Sequence, residues 1–375
     1  MNGMRTDVVV IGGGQLGLAA GYHLVRQGVD FVILDAHQNV GDVWRNRYDS
    51  LRLYSPARYD SLPGLRFSLS GHKVPTGDQM ADYLESYADH FKLPIQTGHT
   101  VEKVEGAEDE GDGFVITTDR GRYEAGQVVV ATGAFKNPYV PGFAGQLDPQ
   151  IRQLHSNEYR NPEQLVDGPV LVVGASHSGA DLAFEISRSH RTLLSGKSHG
   201  QLPVSVDSRR GRIGWRLMKF IAWNLLTLDT PLGRKMAPEI RKGGAPLLRV
   251  RRADLLKAGV EWFDAKVVGI EGGKPKLADG RVLDVANVIW CTGFRQDYGW
   301  LHVPIQLEDG WPKEHRGVVE SVPGLYFLGL LFQYSFTSML VLGAGRDANY
   351  VVDRIAERVR NVQPSGRTRP AAAAS

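Results

Sequence analysis

Apolar residues along this chain come in two kinds of run. Unbroken runs stand at 8–11, 31–34, 128–131, 170–173 and 288–291, with a shorter strand at 192–195 beside them. Runs so short and so continuous predict strands of a parallel sheet covered on both faces. Elsewhere apolar residues recur at three and four. They do so over 15–27 and again over 78–91, where Met80, Leu84, Tyr87, Ala88 and Phe91 share one side of a helix. Between 101 and 131 short apolar runs alternate with polar turns, which predicts an antiparallel meander. Residues 260–283 read as further strands and a hairpin, and 324–329 as the last strand. A terminal helix is expected to open within 333–339 and run to about 359. The pattern predicts an α/β fold with small antiparallel β-meanders.

What joins the first two runs is specific. The chain reads DVVVIGGGQLGLAAGYHLVRQGVDFVILD from Asp7 to Asp35. Gly12, Gly14 and Gly17 form GxGxxG directly after a strand. The first allows the tight turn, the second a close approach of a pyrophosphate, and the third close packing of helix on strand. The helix N-terminus then points its positive end at that anion. Asp35, about 20 residues on, suits the two hydroxyls of a ribose. A second unit follows at Gly174, Ser176 and Gly179, with serine in the middle position. Its second strand ends in Ser195-Gly196-Lys197 instead of a carboxylate. Serine and lysine there, with Arg191 nearby, would accept a ribose 2′-phosphate that a carboxylate would repel, so NADP(H) is favoured over NAD(H). Ala131-Thr132-Gly133 and Cys291-Thr292-Gly293 repeat one strand-to-Thr-Gly ending after each unit, as a duplicated nucleotide-binding domain would.

Two stretches stay open. Residues 41–56 carry Trp44, Arg45 and Tyr54; they read equally as a wall for a flat ring and its phosphates or as a surface loop. Residues 215–228 are unusually apolar but too short to span a bilayer. They read first as a lid or buried packing, then as a homodimer contact; a membrane contact is the least favoured. The basic segment 234–252 reads as an edge of the nucleotide site or as a solvated face.

Bulk properties narrow the classes. With 44 basic and 41 acidic residues in 375, the net charge of +3 gives no reason to expect nucleic acid. The single cysteine, Cys291, excludes an internal redox pair and reads as a small core residue. The acidic cluster at 105–112 reads as a solvated turn, not a metal site, and no metal is expected. A first strand from about residue 7 leaves no room for a signal peptide, so a cytoplasmic protein is expected.

These motifs together resemble the flavin-containing monooxygenases, most closely their small bacterial oxidoreductase relatives. The resemblance spans almost the whole chain and includes the His155/Tyr159 crossover and the Gly329 segment; Pro149 and Ile151 stand where the family pattern has Phe and Gly. It implies two dinucleotide-binding (Rossmann-like) domains, the NADPH domain inserted in the FAD domain. Expected bounds are 1–164 and 287–360 for FAD, 165–286 for NADPH with an apolar helical insert near 213–245, and a disordered tail at 361–375. It implies an NADPH-dependent FAD monooxygenase that uses molecular oxygen, through a C4a-(hydro)peroxyflavin, on a small N, S or carbonyl substrate. An NADPH-dependent flavin oxidoreductase or oxidase without oxygenation is the alternative. Expected cofactor contacts are Gly12, Gly14, Gln15, Gly17, Asp35, Ala36, Trp44, Arg45, Tyr54, Val101, Ala131, Thr132, Gly133, Gly174, Ser176, Ser178, Gly179, Ser195, Gly196, Lys197, Thr292, Gly293, Gly329 and Ser338. No catalytic side chain is assigned.

Overall fold

The computed structural model describes residues 4–107, 113–201, 209–244 and 246–362. Most of the expected acidic turn and nearly all of the expected tail lie outside these residues.

The first unit opens β1 (Met4–Ile11), α1 (Gln15–Gln27), β2 (Phe31–Asp35). Gly28 ends α1 in the left-handed conformation at φ 64, where glycine carries no Cβ penalty. A helical turn, α2 (Asp42–Arg45), precedes α3 (Gly77–His90), which starts at a Thr76/Gln79 capping box. Then come β3 (Ile95–Thr97), β4 (Val101–Gly106), β5 (Phe114–Thr118) and β6 (Gly121–Val130). Parallel pairing runs β6-β1-β2-β3, and the antiparallel meander β4-β5-β6 extends the same sheet. Side chains alternate as the pleat requires. Val8, Val10 and Ile33 face a cluster with α1, α3 and the terminal helix; Val9, Ile11, Val32 and Leu34 face the meander side.

After the short β7 (Asn137–Pro138), the chain builds a second sheet. Its strands are β8 (Arg152–His155), β9 (Val170–Val173), β10 (Thr192–Ser195), β11 (Glu261–Phe263) and, from later in the chain, β14 (Asn287–Trp290). The spatial order is β11-β10-β9-β14-β8, all parallel. Helix α4 (His177–Ile186) follows β9. Between β10 and β11 lie α5 (Arg209–Phe220), α6 (Pro231–Arg241) and α7 (Arg252–Lys257). The hairpin β12 (Val267–Glu271)–β13 (Lys274–Leu277) packs on the other face through Val267 and Leu277.

The chain then returns to the first sheet. Past the small strands β15 (Phe294–Arg295), β16 (Leu301–His302), β17 (Leu307–Glu308) and β18 (Trp311–Pro312), β19 (Leu325–Phe327) pairs in parallel with β6. Helix α8 (Val341–Val362) crosses behind it against α1. The second unit is thus an insertion in the first. The pairing carries β8 and β14 into the second sheet, whereas the expected bounds at 164 and 287 assign both segments to the first unit. Those segments are the two crossings between sheets, and their apolar runs alone could not say which neighbour they would join.

Two local expectations need correction. Residues 336–339 form a separate 3-10 turn, and α8 starts only at Val341. In the 215–228 stretch, Leu217 is 61% exposed, Phe220 55% and Leu225 41%, which rules out buried packing for those residues. A π-helical turn at Ile221–Leu225 breaks the register there.

Candidate active site between two glycine cradles

Each glycine turn is held by contacts that leave no room for a side chain. Gly12 has φ +111, and a Cβ on it would lie 2.6 Å from the Ala131 carbonyl oxygen. One on Gly17 would lie 1.9 Å from the Gly12 carbonyl oxygen. The second unit repeats this: Gly174 has φ +112 with the Cys291 oxygen at 2.3 Å, and Gly179 meets the Gly174 oxygen at 1.7 Å. The repeated Thr-Gly endings therefore exist because each presses its strand end against the first glycine of its own turn. Beyond them, Gly133 and Gly293 sit at φ +74 and +83 facing open space. Gly14 likewise has nothing within 4 Å, a cradle that a Cβ would fill. Neither α1 nor α4 carries an acid in its first turn, so nothing on that turn opposes the positive helix end. Gln15 and Ser178 lie in those first turns, and Ser176 holds the N-cap place that Gly14 holds in the first unit.

The strand ends differ. Asp35 is buried, and its Oδ2 accepts the Gly13 amide at 2.5 Å. Its Oδ1 accepts from the His37 amide at 2.7 Å and faces His37 Nδ1 at 2.9 Å. Burial pushes the carboxyl up, but the hydrogen bonds from His37 and Gly13 outweigh it and hold the group below its ordinary range. In return, the hydrogen bond with Asp35 raises His37. Ala36 follows at the surface, and Val101 lies two residues past His99, whose amide donates to the Asp35 carbonyl at 2.9 Å. Trp44 carries a buried indole N–H with no partner, the kind of donor a ring-shaped ligand would satisfy. Open backbone at Gly14, a fixed carboxylate and an orphaned indole donor fit a dinucleotide carrying a flat ring.

At the second strand end, Ser195 is buried and its hydroxyl donates to the Ala265 carbonyl at 2.7 Å. It is turned away from the cradle. Arg191 immediately precedes the same strand, at the far end from Gly196, and pairs with Glu261 at 2.7 Å. Four residues of strand put it roughly 13 Å from the cradle. Neither supports a phosphate at the ribose; Lys197, exposed past Gly196, keeps that position. Arg45 is also redirected. Its guanidinium binds Asp82 at 2.9 Å and Glu85 at 2.6 Å on α3. The arginine of the loop that turns toward the second unit is Arg47, half-buried, which donates to Asn157 at 2.7 Å and lies over the Phe294 ring. Thr292 donates its hydroxyl to the Tyr139 carbonyl. Ser338 is fully buried, and its hydroxyl accepts from the Tyr334 and Ser335 amides at 3.1 Å each.

The two units meet through the 44–63 loop. Tyr54 donates to Asp181 of α4 at 3.0 Å, and Arg249 pairs with the same carboxylate at 2.9 Å. Burial raises Asp181 despite both partners. An aspartate inside the apolar stripe of α4 was the available signal for this contact. On the crossover, His155 Nδ1 accepts the Asn157 amide at 3.1 Å, so Nε2 must carry the hydrogen it gives to the Gly293 carbonyl at 3.1 Å. His155 is thereby a neutral positioning group, and burial lowers its basicity further. Gln333 is fully buried and binds the Gly329 amide at 2.9 Å and the Phe327 carbonyl at 2.6 Å, fixing the turn after β19; nothing in the sequence marks it out. Gly329 itself sits over Leu16 at the start of α1. Cys291 is a lone thiol that burial pushes up to about 12. Among the described residues no group of side chains is suited to a metal, and no helix is long and apolar enough to cross a membrane.

Two glycine cradles of the same build, the unit carrying the second inserted in the unit carrying the first, define a two-nucleotide oxidoreductase fold. Comparison with known proteins agrees. The pyridine nucleotide-disulphide oxidoreductase family matches residues 9–201. An uncharacterised CzcO-like oxidoreductase of Geobacillus kaustophilus is 40% identical over 93% of this chain and 98% of its own. The probable indole-3-pyruvate monooxygenase YUCCA7 of Arabidopsis thaliana is 32% identical over 93% of this chain and 87% of its own. Among solved structures, a flavin-containing monooxygenase from Stenotrophomonas maltophilia superposes with a TM-score of 0.74 at 26% identity, covering 95% of this chain and 99% of that one. The chain belongs to the pyridine nucleotide-disulphide oxidoreductase family, on its flavin monooxygenase branch, and is a flavin-dependent oxidoreductase.

Proposed function

We propose that the protein is an NADPH-dependent FAD monooxygenase, with FAD on the Gly12–Gly17 cradle and NADPH on the Gly174–Gly179 cradle. The observation that carries this is the contrast at the strand ends: a fixed carboxylate at Asp35, and Gly196-Lys197 without one at the second site. A carboxylate holds free ribose hydroxyls; a lysine in its place favours a 2′-phosphate. Bound FAD supplies hydride acceptance and oxygen activation, chemistry that no side chain here provides. The protein's share is positional. The α1 and α4 N-termini orient the two pyrophosphates, and Gly133 and Gly293 let both ligands approach backbone. Residues 226–228 of the insert are tied to the segment after β19 by Leu228 N–Tyr334 O at 2.8 Å and Phe336 N–Leu226 O at 2.9 Å, which joins the insert to the first unit.

The substrate is a small molecule bearing an oxidisable N or S atom or a carbonyl carbon. One named relative is designated for indole-3-pyruvate, a carbonyl compound, so carbonyl substrates head the screen. A flavin oxidoreductase or oxidase is the competing reading, favoured by Pro149 and Ile151 in the rebuilt crossover. Reconstitution with FAD, then NADPH in air with amine, sulfide and carbonyl panels, separates the two. Oxygenated product in step with NADPH consumed supports the monooxygenase; hydrogen peroxide alone, with every panel, contradicts it.

A further inference from the structure

A sealed carboxyl lies in the segment that connects the two units. Asp60 is 1% exposed, Ser55 Oγ lies 2.5 Å from its Oδ1, and its Oδ2 has no partner. Ser55 is only half-buried, so its hydroxyl is the group between that carboxyl and the open side. The surrounding segment reaches both cradles. Leu53, Ala57 and Leu62 share a buried cluster with Leu16 at the start of α1 and with Val341 of α8. Tyr54 reaches α4, as described above.

Nothing neighbouring neutralises Asp60. Arg58, on its own turn, lies over the Tyr59 ring at 4.8 Å. Tyr83, from α3, gives its hydroxyl hydrogen to the Leu65 carbonyl and accepts the Leu62 amide. No cation is ion-paired with Asp60 among the described residues, and burial raises its carboxyl to about 7, the Ser55 hydrogen bond lowering it by less. Lys219 of α5 lies over the same Tyr59 ring at 5.6 Å without pairing with Asp60, and His177, against the Tyr54 ring, is engaged with the Pro246 carbonyl at 2.7 Å.

We propose that Asp60 and Ser55 form a proton relay into the cleft shared by the two cradles, a role that rests on the monooxygenase reading above. Asp60 carries the proton at rest on the oxygen facing Ser55. Its O–H bond breaks as Ser55 Oγ takes that proton, and Ser55 releases its own hydrogen to a ligand atom that has gained negative charge. Asp60 ends as a carboxylate accepting from an unchanged Ser55. The 2.5 Å separation suits such a strong O–H···O contact. The balance requires a source: NADPH, one proton, O2 and substrate give NADP+, oxygenated substrate and water. The relay supplies that proton and is refilled from solvent through Ser55.

The test begins without cofactor or turnover. Infrared difference spectra of the purified protein labelled with 13C-aspartate, taken about one unit below and about one unit above pH 7, should show loss of a protonated carboxylic acid band. That component of the difference should be missing from D60N. S55A should keep it. With FAD and NADPH loaded, D60N and S55A should both slow oxygenation on the order of 100-fold, within the range of general acid–base catalysis. D60N should also lose the break near pH 7 in the rate profile. A carboxylate already ionised about one unit below that break, or a D60N profile that keeps it, overturns the relay. Failure to take up FAD while the band persists would instead overturn the monooxygenase reading, and with it the relay's role, leaving the protonated carboxyl in place.

Discussion

The two glycine cradles share a backbone and differ in what completes them. Both press a Thr-Gly strand end against the first glycine, and in both a third glycine touches the carbonyl of the first. The first is finished locally: Gly14 is open, and Asp35 is locked by Gly13 and His37. The second carries Ser176 in the middle position, and the serine ending its strand turns into the core. Past that strand the exposed side chain is Lys197. The difference teaches that one turn can be finished by different groups past the second strand, and on the proposed reading those groups set which nucleotide binds.

The largest effect should come from the third glycines. A Cβ in Gly17→Ala would meet a carbonyl oxygen at 1.9 Å and in Gly179→Ala at 1.7 Å, so the turn must open. G17A should lose FAD uptake outright, read by the visible absorbance of the purified protein. G179A should retain FAD and lose reduction by NADPH. If both variants lose the same ligand, the cradles are not separate sites.

Next comes the joint between the units. Arg249→Met leaves the buried Asp181 carboxylate without its cation, and should cost about 3 kcal/mol in urea unfolding. Tyr54→Phe removes one hydrogen bond to the same carboxylate and should cost about 1 kcal/mol. If the order reverses, the ion pair is not what joins the units.

Asp35 should show itself in pH dependence. Its carboxyl is held below the ordinary 3.8, so its contribution to stability is present above that value and lost as the pH falls through the lower folded one. Asp35→Asn should flatten the acid limb of a stability profile and weaken FAD by about tenfold, about 1.4 kcal/mol. His37 has the opposite sign: raised by Asp35, it stabilises below 6.5, and that is lost as the pH rises through the raised value. Asp60 differs again. Raised from 3.8 to about 7, it makes the native state bind more protons in that window, so stability falls as the pH rises across it. Asp60→Asn should remove that slope. The smallest effect belongs to the exposed Lys197: Lys197→Glu should raise KM for NADPH several-fold while leaving that for NADH near its starting value.

The strands and both glycine turns were legible because their causes are local; the insertion followed only from the family resemblance. Unbroken Val-rich runs, glycine spacing and the repeated Thr-Gly ending each follow from backbone contacts that permit few other residues. Side-chain direction was not legible. Arg45 and Arg47 are two residues apart, and only the packing of α3 decides that Arg45 meets Asp82 while Arg47 meets Asn157. Ser195 sits at the right strand end, but the Ala265 carbonyl claims its hydroxyl. The exposed Leu217 and Phe220 show the limit of hydropathy: composition cannot say which apolar stretch finds a partner.

The central claim is two unlike nucleotides on two cradles, and anaerobic titration of FAD-loaded G179A beside wild type tests it most directly. In wild type, NADPH should bleach the oxidised flavin band stoichiometrically. In G179A the band should be present at full strength and stay unbleached. Bleaching of G179A at the wild-type rate, or purification of G179A without flavin, would contradict the account.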